Sequence, residues 1–345
     1  MTTARAAFFV PGEGFEIAAT EVKPPEPGEV RVAISYCGVC GTDLHIYHGA
    51  MAHRLDGRRV LGHEASGIVA AVGDGVENVA IGDRVVIRPL ASCGTCPACV
   101  AGHAHVCHRL KFLGIDTDGG FADYWTVPAD TLHVLPAAVP MTTAALAEPL
   151  AVACHDVRRG RVQSGEAVLV MGGGPIGLLV ALAARAAGGV VCVAEVNPHR
   201  LGVIAGLGFD VVNPAEDNLP EVINARTGGR GADVIFEVSG AQAALDATTA
   251  VAAVRGRIVM VAIYPDPPRI DMFQYFWKEL ELIGARVYEP RDYDAAIAML
   301  AAGEVPADTL ITDIRKLEDI AAAFDGAGGS GASMKTLVAV QGDET

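Results

Sequence analysis

The stretch VLVMGGGPIGLLVALAARAAG occupies residues 168–188 and predicts a buried strand, a glycine-rich turn and a helix, in that order. Pro175 stands where a helix can begin, because the first helical turn leaves its N–H groups unbonded and proline has none to lose. Residues 167–184 contain no charged side chain, but three glycines and Pro175 interrupt them, so a membrane-spanning helix is not predicted. The unit is typical of the first strand and helix of a nucleotide-binding fold.

Gly172, Gly174 and Gly177 form a G-x-G-x-x-G pattern within this unit. The first glycine permits a tight turn, the second lets the backbone approach a pyrophosphate, and the third allows close helix–strand packing. Such a turn can also serve packing alone, but Glu195 stands 23 residues beyond Gly172, at the end of the next predicted strand. A carboxylate there accepts ribose hydroxyls and repels a 2′-phosphate, which predicts NAD rather than NADP, although Arg200 nearby could soften that preference.

Strands and helices continue to alternate after this unit. Further strands are predicted at DVVNP (210–214), ADVIFEVSG (232–240), GRIVMVAI (256–263) and ELIGARV (281–287). Their spacing suits crossover connections and predicts a parallel, doubly wound sheet. Residues 1–150 instead read as short strands separated by turns, and they predict a compact β-barrel-like lobe. Its strands are expected at RAAFFV (5–10), EVRVAISY (29–36), ASGIVAAVG (65–73) and DRVVIRPL (83–90).

The composition limits the class of protein. At 345 residues the chain is long enough for about two domains, and 51% hydrophobic with 19% charged residues indicate an ordered globular protein. A formal net charge of −15 argues against nucleic acid or an anionic membrane as a partner, since both require basic patches. The N-terminal sequence MTTARAAFFVPGEGFE lacks the apolar core of an export signal, so we expect a soluble, cytoplasmic protein.

A second informative pattern is C-x2-C-x2-C-x7-C, formed by Cys93, Cys96, Cys99 and Cys107. Four thiolates at these intervals can close a tetrahedral shell around one zinc ion without long-range folding. Disulfides are disfavoured because no export signal is present. A ferredoxin-type iron–sulfur cluster would require a fourth cysteine after three residues, followed by proline, whereas here the gap is seven and His108 follows. We therefore predict a structural zinc site.

Sparser candidate ligands lie elsewhere in the chain. The segment CGVCGTDLH begins at Cys37 and offers Cys40, GHE offers His63 and Glu64, and AEP offers Glu148. Each motif alone is weak, because a lone cysteine or a His-Glu pair is usually structural. Together with the four-cysteine pattern, E-P-L-A-V and G-G-G-P-I-G, they follow the order of the zinc-dependent medium-chain dehydrogenase family, which the chain resembles over essentially its whole length.

The resemblance implies an α/β protein of two domains. Residues 1–150 and 287–345 would form a GroES-like β-barrel catalytic domain that holds zinc, and residues 151–286 a Rossmann cofactor domain with a doubly wound parallel sheet. Two zinc ions per chain are then expected, one structural and one catalytic.

The resemblance also implies the ligands of the catalytic zinc. The cysteine just before the G-T-D run is the ligand, which selects Cys40 over Cys37, and His63 is the histidine ligand. Glu148 matches the carboxylate of the polyol and butanediol branch, either as a direct ligand or through a water, and Glu64 is an alternative that could exchange with it. Three protein ligands leave a fourth position for water or substrate.

The implied chemistry is hydride transfer from an alcohol to the cofactor. Zinc lowers the pKa of the substrate hydroxyl, and the alkoxide delivers hydride to the nicotinamide ring. Thr42 is expected to take the hydroxyl proton and pass it through the cofactor ribose to His45, which reaches solvent; both could instead be ordinary turn and surface residues. Asp43 is expected to orient a ligand rather than to react.

The branch markers favour oxidation of a secondary hydroxyl of a polyol, sugar alcohol or vicinal diol. A secondary-alcohol or L-threonine 3-dehydrogenase is the alternative within enzymes, and a non-catalytic relative is the alternative outside them. A homodimer or homotetramer is expected, with the strand near residues 280–287 as a candidate interface. The predicted cofactor-binding residues are Gly172, Gly174, Pro175, Ile176, Gly177, Glu195, Arg200, Ser239 and Ile263, the last two lining the nicotinamide pocket from strand ends.

Overall fold

A computed structural model describes residues 3–55, 57–264, 266–329, 331 and 333–342. The chain divides into two compact units. The first, here called the split unit, comprises Met1–Glu148 and Glu289–Thr345. The second, here called the central unit, comprises Pro149–Tyr288.

The first segment of the split unit is built mainly from short strands. They are β1 (Thr3–Val10), β2 (Gly14–Glu21), β3 (Glu29–Gly38), β4 (Arg59–Val60), β5 (Glu64–Val72), β6 (Arg84–Ile87), β7 (Leu90–Ala91), β8 (Lys111–Phe112), β9 (Tyr124–Pro128) and β10 (Leu132–Val134). The α-helices are α1 (Gly41–Tyr47), α2 (Pro97–Val100), α3 (Met141–Ala144) and α4 (Ala147–Gly160), and single 3-10 turns span Ala52–Arg54, Ala104–Val106 and Ala129–Thr131. The unit boundary falls within α4, directly after Glu148.

The central unit alternates strands and helices. Its elements are β11 (Ala167–Met171), α5 (Pro175–Ala186), β12 (Val190–Ala194), α6 (Pro198–Gly206), β13 (Asp210–Val212), α7 (Leu219–Thr227), β14 (Ala232–Glu237), α8 (Gln242–Val251), β15 (Ala252–Met260), α9 (Met272–Lys278) and β16 (Glu281–Gly284). All six strands are parallel, in the order β13-β12-β11-β14-β15-β16. This is the order of the doubly wound dinucleotide-binding fold, so the predicted Rossmann class is confirmed.

The chain then returns to the split unit with α10 (Pro290–Ala301), α11 (Ala307–Leu310), β17 (Ile311–Lys316), α12 (Ile320–Gly329) and β18 (Lys335–Ala339), and a 3-10 turn at Leu317–Asp319. The largest sheet has the order β10-β6-β5-β3-β18-β17, with β9 also paired to β3. Strand β18 therefore lies antiparallel to β3, with Leu337 opposite Gly38. The last strand of the chain is thus inserted beside the strand that leads to Cys40.

Each unit has its own hydrophobic core. In the split unit Phe9, Phe121, Trp125 and Phe324 are buried among aliphatic residues of β3, β5 and β18. In the central unit the buried strand residues include Leu169, and the helices close over them. Among the described residues, no helix combines the length and the apolar character that a membrane crossing requires.

Candidate metal sites and cofactor-binding site

The four cysteines of the C-x2-C-x2-C-x7-C pattern converge on one point. Strands β7 and β8 pair antiparallel and close a loop, here called the cysteine lobe (residues 92–110), that contains all four. Four of the sulfur–sulfur distances are 3.4, 3.5, 3.7 and 4.0 Å. A tetrahedron with zinc–sulfur bonds of about 2.3 Å has edges of about 3.8 Å. The arrangement therefore fits one zinc ion held by four sulfurs.

Backbone N–H groups of the same lobe point at these sulfurs. Cys96 N donates to Cys93 Sγ and His108 N to Cys96 Sγ, both at 3.4 Å, and Arg109 N donates to Cys107 Sγ at 3.2 Å. Hydrogen bonds to a thiolate favour its charged form. Hydrogen bonds from backbone N–H groups, most of all that of Thr95, lower the pKa of the Cys93 thiol to about 5. Burial instead raises the pKa of Cys99 to about 11, so the hydrogen bonds of the lobe favour the thiolate, the form that binds metal, at Cys93 but not at all four cysteines.

A second group of candidate ligands comes from two separate segments and consists of half-buried Cys40 with buried His63 and Glu64. Cys40 is the N-cap of α1, while His63 and Glu64 lie at the start of β5. One ligand atom from each of the three lies within 4.8 Å of the others, and His63 and Glu64 are each 1% exposed. Thiolate, imidazole and carboxylate are all ligands that zinc accepts. The group fits a zinc ion with three protein ligands.

Asp43 ties two of these ligands together. One carboxylate oxygen accepts from the backbone N of Cys40 at 3.0 Å, and the other lies 3.4 Å from His63 Nδ1. Burial disfavours the imidazolium form, but the charges of Asp43 and Cys40 outweigh it and raise the pKa of His63 well above its usual value. With Nδ1 directed at Asp43, Nε2 is the nitrogen left for a metal, an arrangement common at metal sites.

A lysine that the sequence analysis did not single out completes this site. Lys335, the first residue of β18, forms a buried ion pair with Glu64 and donates to the carbonyl oxygen of Val39 at 3.0 Å. Burial lowers the pKa of Lys335, but the negative charges of Glu64, Cys40 and Glu148 raise it by more. The net pKa of Lys335 therefore lies above its usual value. Gly38 makes room for the pair, because a Cβ at that position would overlap the Glu64 carboxylate and come within 2.9 Å of Lys335 Cε.

The remaining predicted catalytic residues lie near this group but outside it. Glu148 is 6% exposed and interacts electrostatically with Lys335, yet its carboxylate is not one of the three mutually close ligand atoms. Thr42 is half-buried and His45 exposed on α1, one turn beyond Cys40. The ring of Phe112 packs edge-on against His63, with centroids 5.0 Å apart.

The glycine-rich turn between β11 and α5 has the geometry that its sequence predicts. Gly172 has a φ of +107°, which a residue with a side chain rarely adopts, and a Cβ at Gly177 would overlap the carbonyl oxygen of Gly172. At Gly174, the N-cap of α5, a Cβ would meet only Arg200 Nη1, at 3.7 Å. Protein packing does not demand glycine at that position. Free space at the N-terminus of α5, where Pro175 and Ile176 form the first turn, suits an anion.

Glu195 follows β12 and its carboxylate is held beside this turn. One oxygen accepts from Gly173 N at 2.8 Å, and the other from Val196 N at 2.7 Å and Asn197 N at 2.8 Å. Arg200 Nη1 lies 3.8 Å from the first oxygen. These donors fix the carboxylate, and its remaining lone pairs can accept further hydrogen bonds.

A cavity of about 600 Å³ opens over the carboxyl ends of the central strands. Its lining includes Gly172, Glu195 and Ser239, together with Pro214 and Asp217 of the loop after β13. The side chain of Ile263, which was also predicted to line the cofactor pocket, is 74% exposed and does not line this cavity.

The structure adds Lys335, Gly38 and several loop residues of the cofactor cavity to the predicted sites. Lys335 and Gly38 were missed because their role depends on β18 lying beside β3, which no local pattern indicates. Loop residues such as Pro214 carry no motif. Only Lys335 left a signal in the sequence, as a lone charge opening the apolar strand KTLVA.

The geometry agrees with the comparisons to known proteins. The family described as "Alcohol dehydrogenase GroES-like domain" matches residues 26–137, and the family described as "Zinc-binding dehydrogenase" matches residues 175–302. A 2-dehydro-3-deoxy-L-galactonate 5-dehydrogenase from Pseudoalteromonas atlantica is 49% identical, over 96% of this chain and 98% of the relative. An L-threonine 3-dehydrogenase from Pyrococcus horikoshii is 38% identical over 76% of each. The crystal structure of 2R,3R-butanediol dehydrogenase from Bacillus subtilis superposes with a TM-score of 0.90, 32% identity, and 98% and 100% coverage.

Proposed function

The chain belongs to the zinc-dependent medium-chain dehydrogenase family, and on that premise we propose that it oxidises a secondary hydroxyl of a polyhydroxylated substrate with NAD. It is an oxidoreductase that acts on CH–OH groups with zinc and a nicotinamide cofactor. The observation that carries the proposal is the close approach of ligand atoms from Cys40, His63 and Glu64, in a chain that also contains the dinucleotide-binding turn.

The roles of the ligands follow from this group. Cys40, His63 and either Glu64 or Glu148 would hold the zinc ion, which would supply a Lewis acid for the substrate hydroxyl. Asp43 holds His63 in the orientation that presents Nε2. Lys335 pairs with Glu64 and interacts more weakly with Glu148. One of the two carboxylates would therefore keep a cationic partner while the other bound the metal.

Thr42 and His45 form the proposed proton path. The half-buried hydroxyl of Thr42 receives the substrate proton, and exposed His45, three residues later on α1, releases it to solvent. His45→Gln should change the pH dependence of kcat, because it removes the imidazole that would pass the proton to solvent. An unchanged pH profile would exclude His45 from the path.

We assign the second zinc to Cys93, Cys96, Cys99 and Cys107, where it closes the lobe and has no free position for substrate. The sulfur–sulfur distances and the N–H groups directed at the sulfurs support this assignment. The expected content is two zinc ions per chain, measured by plasma emission spectroscopy. One zinc ion that remains in Cys40→Ser would be the structural one.

We assign NAD to the cavity of the central unit. The carboxylate of Glu195, held by three backbone N–H groups, is placed to accept ribose hydroxyls and to repel a 2′-phosphate. Arg200 faces Glu195 and would not pair freely with a phosphate. The wild type should prefer NAD by kcat/KM, and Glu195→Ala should narrow that preference by at least about tenfold. Equal kcat/KM for the two cofactors in the wild type would refute the assignment.

The substrate is proposed to be a sugar acid or sugar alcohol with a free secondary hydroxyl. The relative with 49% identity is named for a sugar acid, and the butanediol enzyme for a diol. L-Threonine is the second candidate, because the relative with 38% identity is named for it. Both classes offer a second polar group beside the reacting hydroxyl.

A substrate panel distinguishes these candidates. Purified enzyme should reduce NAD with aldonic acids, 3-deoxy sugar acids, C4 to C6 polyols or vicinal diols, and much more slowly with L-threonine, ethanol or benzyl alcohol. Cys40→Ser serves as the matched control, since it removes one ligand while leaving the cysteine lobe intact. Turnover of L-threonine alone would replace the proposed substrate, and turnover of nothing in the panel by a protein with two zinc ions would refute the function.

We propose further that the enzyme is a homo-oligomer joined at the edge of the central sheet. Strand β16 is the edge strand of that sheet and, among the residues that the structure describes, pairs with β15 alone. The neighbouring helix α9 exposes Phe273, Phe276 and Trp277 at 62%, 76% and 69%. An unpaired strand edge next to exposed aromatic side chains is typical of an interface. Light scattering should give twice or four times the chain mass, and Trp277→Glu should lower it; a monomeric wild type would refute the proposal.

A further inference from the structure

Strand β14 ends in a buried carboxylate, Glu237, for which the chemistry above has no use. Glu237 is the last residue of β14 and has no exposed surface. Within the described residues it pairs with no cationic side chain, and its hydrogen bonds come from neutral donors. Burying a carboxylate without a cation is costly, so the donors around it must fix its position.

These donors join two segments of chain. One carboxylate oxygen accepts from Ser239 N at 3.0 Å, Ser239 Oγ at 2.5 Å and Gly240 N at 3.2 Å. The other oxygen accepts from the hydroxyl of Tyr264. The carbonyl oxygen of Glu237 accepts from Val261 N and Ala262 N, each at 3.0 Å. Glu237 thus ties the turn after β14 (residues 238–241) to the segment after β15 (residues 261–264).

The turn after β14 lies directly against the dinucleotide-binding motif. Val238 N donates to the carbonyl oxygen of Met171, the residue before Gly172. A Cβ at Gly172 would lie 3.1 Å from the Cα, Cβ and N atoms of Ser239. A displacement of this turn would therefore be transmitted to the cofactor cavity, which Ser239 also lines.

The strand order tells which half of the cofactor this wall would face. Glu195, the ribose-binding candidate, follows β12, on one side of β11. Glu237 ends β14, on the other side of β11. A dinucleotide whose pyrophosphate lies at the turn after β11 extends from the β12 side to the β14 side of the sheet. With the adenosine at Glu195, the nicotinamide half falls on the side of Glu237.

We infer that Glu237 is a positioning residue for the nicotinamide half of the cofactor, and Tyr264 its partner. The carboxylate holds the two segments as one wall, so that the nicotinamide ribose and ring meet a preformed surface. This inference rests on the proposed use of NAD. It assigns no chemical step to Glu237, and it predicts that loss of the carboxylate weakens binding of the whole dinucleotide but not of its adenosine half.

The test compares two ligands and three variants of the full-length enzyme. The ligands are NADH, followed by its fluorescence, and AMP, followed by calorimetry. The variants are Glu237→Gln, Tyr264→Phe and the control Tyr275→Phe. The control removes a hydroxyl that is buried in the same unit and makes no hydrogen bond among the described residues. It therefore matches the chemical change at Tyr264 without touching the wall.

Glu237→Gln should weaken NADH binding about tenfold and Tyr264→Phe about three- to fivefold, since each loses hydrogen bonds to a charged group. AMP affinity should stay within twofold in both, and Tyr275→Phe should match the wild type with both ligands. The KM for NAD should rise more than kcat falls. Unchanged NADH affinity in Tyr264→Phe, or a parallel loss of AMP and NADH affinity, would overturn the inference. A wild type that binds AMP but neither NADH nor NADPH would overturn the proposed function itself.

Discussion

The two candidate metal sites of the split unit differ in how their negative charge is balanced. In the cysteine lobe the four sulfurs come from 15 consecutive residues and accept hydrogen bonds from backbone N–H groups of the same segment. At the second site Cys40 comes from one segment and the adjacent His63 and Glu64 from another, and the balancing cation, Lys335, lies on strand β18. The first site is local, whereas the second joins distant parts of the chain, buries His63 and Glu64 almost completely, and depends on the complete fold.

This difference teaches where each site takes its stability from. A local cluster of thiolates holds its loop together only when metal is bound, so the metal itself supplies the folding energy. A buried carboxylate with its own lysine partner is already compensated before metal arrives. Zinc in the cysteine lobe, here called the closed site, should therefore stabilise the fold. Zinc at Cys40, His63 and Glu64, here called the open site, should serve chemistry and add little to stability.

The largest difference between the two sites should appear when one cysteine ligand is removed from each. Cys107→Ser should remove the structural zinc, whose binding energy in small zinc domains is on the order of 10–16 kcal/mol, and should lower the melting temperature by about 10 °C or more. Cys40→Ser should abolish turnover and change the melting temperature by only a few degrees. Each variant should retain one zinc ion. The measurements are calorimetric melting and zinc content, and equal melting temperatures of the two variants would contradict the contrast.

The next effect concerns the ion pair of Glu64 and Lys335. Lys335→Met should cost about 3–5 kcal/mol in urea unfolding, because it leaves a buried carboxylate without its cation. The double variant Lys335→Met with Glu64→Gln should recover a large part of that loss, since the amide carries no charge. The coupling energy of the two substitutions is the quantity to measure. Additive effects of the two changes would show that the pair does not balance charge.

A smaller effect is expected for Asp43, which holds His63 but bears no proposed contact with substrate. Asp43→Asn keeps the shape and should lower zinc affinity at the open site by about 10- to 100-fold, the usual range for a residue that orients a histidine ligand. Competition with a chromophoric chelator would report one zinc ion released early and one retained in the cysteine lobe. Release of both ions at the same chelator concentration would assign Asp43 a role in folding instead.

Sequence reasoning reached the local features of this molecule and missed the distant ones. Short-range patterns predict the strand–turn–helix unit at residues 168–188, the parallel, doubly wound sheet that contains it, and the convergence of Cys93 with Cys107. The short helix α1 was not predicted, because its residues read as a ligand-bearing turn. Lys335 was not predicted either, since its place beside Glu64 depends on the insertion of β18 next to β3.

The buried carboxylates of Glu64 and Glu237 also show which residues a sequence motif can identify and which it cannot. Glu64 was identified as a candidate because it follows a histidine in a recognisable motif, whereas Glu237 has no motif and shows its role only through the donors that surround it. A carboxylate in an apolar strand such as ADVIFE is still a usable signal. Apolar strands exclude charges unless a specific partner exists, so such a residue predicts a buried network even where its partners are unknown.

The smallest effect is expected for the cationic side chain beside the cysteine lobe, Arg109, in contrast to Lys335 at the second site. Arg109 lies beside Cys93 as Lys335 lies beside Glu64. The thiolates of the lobe, most of all Cys93, raise the pKa of Arg109. The guanidinium is exposed and donates to Thr95 Oγ1 at 2.7 Å, so water can replace it. Arg109→Met should therefore leave the urea midpoint and the zinc content unchanged, while Lys335→Met shifts the midpoint clearly. A comparable shift in both variants would mean that the cysteine lobe also needs a cationic side chain, and that backbone N–H groups alone do not balance its four thiolates.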